Sequence, residues 1–151
     1  MEELILRYQQ LVKAYSRLDY MTKKFVQLSQ KEKSDYLLKD DENELIVHRD
    51  ALIKRFEFCY DLTWKFYKLV LKEKYSINVT SPRKVFQEAY QQGIFTTEET
   101  EKFIEMIDAR NETTHIYDEA VAESISQKIL IYYTFLAQMI KKWSPEKLSY
   151  E

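Results

Sequence analysis

A chain of 151 residues has room for one domain, and a domain of that size buries about 70% of its unfolded surface. Hydrophobic residues make up 45%, with 12 Tyr and 8 Phe for a sizeable core, while one Gly and two Pro exclude the many tight turns of an all-β fold. The balance of 23 basic against 25 acidic residues, net charge -2, excludes a general electrostatic binder of nucleic acid, though not a small phosphate-binding cleft.

The first predicted helix carries Ile5, Tyr8, Val12, Tyr15, Leu18, Met21, Phe25 and Leu28 at steps of three and four. Lys31 to Asn43 is charged and reads as a loop or frayed turn. The second helix is expected from about Glu44 to Tyr75. Its seam of Leu45, Leu52, Phe56, Cys59, Phe66 and Val70 is widened by Ile53, Tyr60 and Tyr67. A stripe that broad is covered on more than one side, which makes this the central helix.

Ser81-Pro82 opens a short helix, with Ser at the N-cap and Pro at the first helical position, and Gly93 closes it. Thr96-Thr97-Glu98-Glu99 is a capping box for the next long helix, with Phe103, Ile107 and Arg110 on one stripe. Asp118 caps the last helix, whose seam is Val121, Ile125, Tyr132, Leu136, Ile140 and Trp143, and Ser144-Pro145 ends it. Long amphipathic helices with short connections predict an all-α, antiparallel up-and-down four-helix bundle with a short extra helix. We expect one domain over 1–151. The single Cys59 cannot close an intrachain disulfide and points to a reducing compartment. The N-terminus lacks the pattern of a signal peptide, and the longest apolar run, Leu130 to Ile140, is too short to cross a bilayer. A cytoplasmic protein with no membrane attachment is expected.

The chemistry concentrates in Asp108 to Tyr117, where Arg110, His115 and Tyr117 stand close together. Arginine presents a permanent, planar cation that fits phosphate, and histidine exchanges protons near neutrality. On a continuous helix His115 lies about 140° around from Arg110, so the two converge only through a break or across a second subunit. Asn111, Thr113 and Thr114 favour such a break. Spacing alone leaves a structural alternative open, in which Arg110 caps the carbonyls ending its helix and His115 is a loop residue. Asp108, Glu112, Asp118 and Glu119 surround the motif with negative charge, so a polyanionic substrate needs cations from elsewhere, such as Arg49, Arg55 or a partner chain. His48 reads as an exposed helix residue, Cys59 as a small buried hydrophobe, and Tyr60, Trp64, Phe66 and Tyr67 as packing residues. Tyr132, Tyr133 and Trp143 read as core, with an interface as the alternative. Arg55 and Glu57 either orient motif groups or form an ordinary surface ion pair.

The order Arg110-Asn111, His115, Tyr117 at the entry to the last helix resembles the HEPN superfamily. The string from Arg55-Phe56-Glu57-Phe58 through Asp61-Leu62-Thr63-Trp64-Lys65 resembles one branch of it, the nucleotidyltransferase substrate-binding proteins. Ser81-Pro82-Arg83 and the Gly93-Ile94 turn look like that branch too, and the resemblance runs over residues 1 to 143. It implies a homodimer partnering a minimal nucleotidyltransferase encoded by a neighbouring gene, as in toxin–antitoxin pairs. It further implies a metal-independent endoribonuclease with RNA as substrate, Arg110 and His115 catalytic and Asn111 in support. Tyr117 would be the residue to which the transferase attaches AMP. Neither cofactor nor metal is implied. The alternative is a non-catalytic subunit that binds nucleotide or substrate for a two-component nucleotidyltransferase.

Overall fold

The structure is a computed structural model that describes residues 1–30 and 39–148, and no strand occurs among them. The helices in chain order are α1 (Glu2–Ser29), α2 (Lys39–Tyr75), α3 (Pro82–Gln91), α4 (Thr97–Glu112), α5 (Glu119–Lys142) and α6 (Pro145–Leu148). A single 3-10 turn, Thr113–His115, separates α4 from α5. The fold is all-α, as the sequence predicts. Helix α2 starts earlier than expected, at Lys39, so part of the segment read as loop is helical, and residues 31–38 lie outside the described residues.

Local chemistry explains the boundaries. Ser81 Oγ accepts the Lys84 N–H and Pro82 occupies the first turn, which fixes the start of α3. Gly93, at φ 77, supplies the left-handed residue that ends it, and Ile94 N–H bonds back to the Ala89 carbonyl at 2.9 Å. Thr96 and Glu99 form the reciprocal capping box of α4, with Thr96 N–H donating to Glu99 Oε1 at 2.8 Å and Glu99 N–H to Thr96 Oγ1 at 3.1 Å. Helix α2 ends without glycine: Ser76 takes φ 55, and Ile77 N–H reaches the Leu71 carbonyl at 3.0 Å. Helix α5 stops at Lys142, and Pro145 then opens the short α6, which the sequence did not announce.

Contacts between helix ends set the directions. The Met1 amine meets Glu73 at 3.4 Å, so the start of α1 lies at the end of α2. Tyr8 Oη donates to the Ile140 carbonyl at 3.0 Å, and Lys142 Nζ donates to Glu99 at 3.0 Å. Helices α1 and α5 therefore run oppositely, as do α5 and α4. Arg49 on α2 bonds Glu119 at the start of α5, so these two are parallel. The result is an up-down-up-down bundle of α1, α2, α4 and α5, with α3 laid against α2 and α4.

The core is aromatic at its centre. Phe103 of α4 stacks on Phe86 of α3 at 4.7 Å and on Phe95 at 4.8 Å, and meets Phe135 of α5 edge-on at 4.9 Å. From α2, Leu52, Ile53, Phe56, Cys59, Tyr60, Phe66, Tyr67 and Val70 are buried, so α2 is the central helix. The other seams lie partly one residue away from the expected ones. In α1 the buried set is Leu4, Leu11, Leu18, Thr22 and Phe25, whereas Ile5 and Val12 are exposed. In α4 it is Phe103, Met106 and Ala109, with Ile107 and Arg110 at its edge. In α5, Ala122, Ile129 and Met139 are buried with Ile125, Tyr132 and Leu136, while Val121 and Ile140 are half-buried. No helix among the described residues is long and apolar enough to cross a membrane.

Candidate functional site

The break between Arg110 and His115 exists, and two threonines make it. Thr113 Oγ1 donates to the Arg110 carbonyl at 2.7 Å and Thr114 Oγ1 to the Asn111 carbonyl at 3.0 Å. These bonds satisfy carbonyls at the end of α4 and tighten the backbone into the 3-10 turn. Asp118 then restarts a helix by accepting the Ala120 and Val121 N–H groups at 2.9 and 3.3 Å. Residues 113–118 thus form a compact turn between two capped helices.

Arg110 does not cap the end of α4 with its side chain. Its guanidinium, 28% exposed, crosses to α2, where Nε and Nη2 donate to the Asp61 carboxylate at 3.3 and 3.4 Å. Glu57, one turn earlier, lies 3.9 Å from Nη1, which itself donates to Thr113 Oγ1 at 3.0 Å. Burial disfavours the charge, but the hydrogen bond and charge of Asp61, with the charge of Glu57, outweigh it and raise the guanidinium pKa. Arginine carries five N–H donors, so about two remain for an incoming oxyanion. Arg110 lines a cleft of about 410 Å³ together with Tyr60, Asp61, Trp64, Arg83, Ile107 and Asn111. Burial first, then the neighbouring Asp61, pushes the Tyr60 phenol up, so it stays neutral.

His115 and Tyr117 form a second group, turned outward. The imidazole Nδ1 lies 3.2 Å from Tyr117 Oη, and the rings meet edge-on at 5.8 Å. Tyr117 is 80% exposed, well beyond what a packing residue shows. The structure therefore pairs His115 with Tyr117 and Arg110 with α2, and His115 does not line the arginine cleft of its own chain.

Other candidates resolve individually. Arg49 is buried and bound by Glu119 at 2.7 Å and by Asp50 at 3.2 Å, so it joins α2 to α5 and is not available to a substrate. Glu57 accepts a hydrogen bond from Lys54 Nζ at 3.2 Å and lies 3.9 Å from Arg110, near it but not bonded to it, and Arg55 lies over the exposed Phe58 ring at 6.0 Å. His48 is half-exposed, and its Nδ1 sits 2.8 Å from the Glu44 carbonyl, an acceptor, so that nitrogen carries the proton. Cys59 is fully buried, which pushes its thiol up to about 12. Tyr60, Phe66, Tyr67, Tyr132 and Trp143 are core, Tyr133 is half-buried against Tyr15, and Trp64 is half-exposed at the mouth of the cleft. Sequence reasoning missed Asp61. The available signal was Glu57 and Asp61, two acids one turn apart inside an otherwise apolar stretch of α2.

The chain is thus an all-α bundle with an arginine cleft between α2 and α4 and an outward histidine–tyrosine turn beside it. This chain belongs to the nucleotidyltransferase substrate binding protein like family, whose pattern matches residues 6–144. Among solved structures it is similar to a protein from Thermus thermophilus, with 26% identity and a TM-score of 0.62. That match covers 83% of this chain and 97% of the other. No curated protein matches the chain.

Proposed function

We propose that this chain works with a minimal nucleotidyltransferase as a HEPN-type, metal-independent endoribonuclease, switched off by transfer of AMP to Tyr117. The observation that carries this reading is the exposed His115–Tyr117 pair on the turn that follows Arg110. An 80% exposed phenol with an imidazole nitrogen 3.2 Å from its oxygen suits a nucleophile whose proton has somewhere to go. In the transfer step Tyr117 Oη bonds to the α-phosphorus of ATP, pyrophosphate leaves, and His115 takes the phenolic proton. In the unmodified protein His115 removes the proton from a ribose 2′-hydroxyl as that oxygen attacks the adjacent phosphorus, and the bond to the 5′-oxygen breaks, that oxygen leaving as an alcohol with a proton from water. Arg110 stabilises the charge on the phosphorus oxygens with its remaining N–H donors. Within one chain the two groups face different ways, so a homodimer that closes the arginine cleft of one copy with the turn of the other completes the site. AMP on Tyr117 brings a negative phosphate onto His115 and blocks that closure.

A second reading, a binding subunit with no catalysis of its own, is favoured by one observation: Arg110 is already paired with the Asp61 carboxylate. One experiment separates the two. Purified protein is incubated with RNA in the presence of a chelator, as wild type, as His115→Ala and after reaction with the transferase. The nuclease reading expects cleavage that falls by a factor of about 100 or more in His115→Ala, as loss of a general acid–base does, and that also falls on modification. Cleavage that His115→Ala leaves intact refutes it. No cleavage by wild type, with transferase activity altered on mixing, establishes the binding subunit.

A further inference from the structure

The geometry points to a binding track for single-stranded polynucleotide along the α1–α2 face, leading into the Arg110 cleft. It deepens the nuclease reading by naming the surface that holds the substrate chain.

Three clefts meet around one turn of α2. The arginine cleft shares Asp61 with a second cleft, of about 440 Å³, lined by Lys13 and Arg17 of α1 and by Arg55 and Lys65 of α2. It shares Trp64 with a third, of about 330 Å³, lined by Arg7, Lys65, Lys68 and Lys72. Asp61 and Trp64 stand three positions apart and Asp61 and Lys65 four, on one helix face, so the three clefts adjoin there through shared lining residues. Among the described residues nine basic side chains line them, against two carboxylates, Glu3 and Asp61. The whole chain has 23 basic and 25 acidic residues, so this face is a segregated positive surface and not a sample of the average.

Little of this charge is tied up in ion pairs. Of the nine, Arg110 alone forms an ion pair within the described residues. The remaining cations have no carboxylate partner among the described residues, so a phosphate backbone meets no such competitor there. Two aromatic faces lie in the track: Trp64 is half-exposed with Lys68 over its ring at 5.9 Å, and Phe58 is 46% exposed with Arg55 at 6.0 Å. A positive groove with exposed rings suits single strands, whose unstacked bases have faces to offer. An acidic protein segment would use the cations but leave the rings without a role.

The test separates binding from cleavage by using a fluorescent 2′-O-methyl oligouridine, which lacks the attacking hydroxyl. Anisotropy is recorded over a range of salt for wild type, Lys13→Glu/Arg17→Glu, Lys68→Glu/Lys72→Glu, and Lys128→Glu as a control off the track. We expect both double variants to bind at least about tenfold more weakly near 0.1 M salt. Their log–log salt slope should fall by roughly 0.7 for each phosphate no longer neutralised, with the control unchanged. Equal affinity in all four proteins, no binding by wild type, or displacement by polyglutamate as readily as by unlabelled RNA overturns the track. Trp64→Ala, which keeps the charge, should weaken oligonucleotide binding and leave polyglutamate binding untouched; the reverse also overturns it. If the all-ribose oligomer is bound on the track but not cut, the nuclease reading fails while the track stands.

Discussion

Arg110, Thr113 and Asp61 illustrate how far single residues could be read in advance. Arginine at the edge of an apolar stripe demanded a carboxylate, a cleft or a partner, and the fold supplies the first two together. Which carboxylate it would find was not legible, because Asp61 lies on another helix and only the packing of α2 against α4 brings it near. Thr113 was readable as a weak helix former, but its second task, accepting a hydrogen bond from the Arg110 guanidinium, needs coordinates. Cys59 was readable throughout. Burial raises its thiol to about 12, so at pH 8 the thiolate is essentially absent. The thiol should therefore be inert to a disulfide exchange reagent in native protein and react at once in denaturant, as followed by absorbance. Rapid reaction in the native state would mean that the α2 seam opens.

At the scale of elements, caps were legible and faces less so. Ser81, Thr96 and Asp118 act locally and appear where their side chains dictate. The buried faces of α1, α4 and α5 depend on the neighbour each helix meets. In α1, Leu4-Ile5-Leu6 and Leu11-Val12 offer apolar stripes one residue apart, and periodicity cannot choose between them. The joint between α2 and α5 makes a prediction of its own. Arg49 is 7% exposed and Glu119 70%, so the pair holds a buried cation to a wet carboxylate. The hydrogen bond and charge of Arg49 hold the Glu119 pKa below its ordinary value. A depressed folded-state pKa stabilises above the ordinary carboxylate range, and that stability is lost as pH falls through the folded value. Glu119→Gln should thus melt earlier than wild type at pH 7, with the difference closing toward pH 3. A difference that persists at low pH would assign the effect to shape, not charge.

Across the whole molecule, the aromatic cluster around Phe103 ties α3, α4 and α5 to the central α2. Phe103→Ala leaves Phe86, Phe95, Tyr67 and Phe135 facing a void and should cost about 3–5 kcal/mol, read from chemical denaturation. A cost below about 1 kcal/mol would show that the cluster collapses around the gap. Charge is a property that composition hid at this scale. A near-neutral total conceals a positive α1–α2 face, while Asp108, Glu112, Asp118, Glu119 and Glu123 gather around the start of α5.

Leu4, Leu11, Leu18 and Phe25 recur every seventh position, so α1 meets α2 with the same phase along its length. Turning α1 by a single residue would bring Ile5, Val12 and Val26 inward, a set as greasy as the one it replaces, but it would also drive Asp19 into hydrocarbon. Lys23, which would take the place of buried Thr22, would go with it, so this ion pair on the solvent side decides which way the first helix is wound against its neighbour.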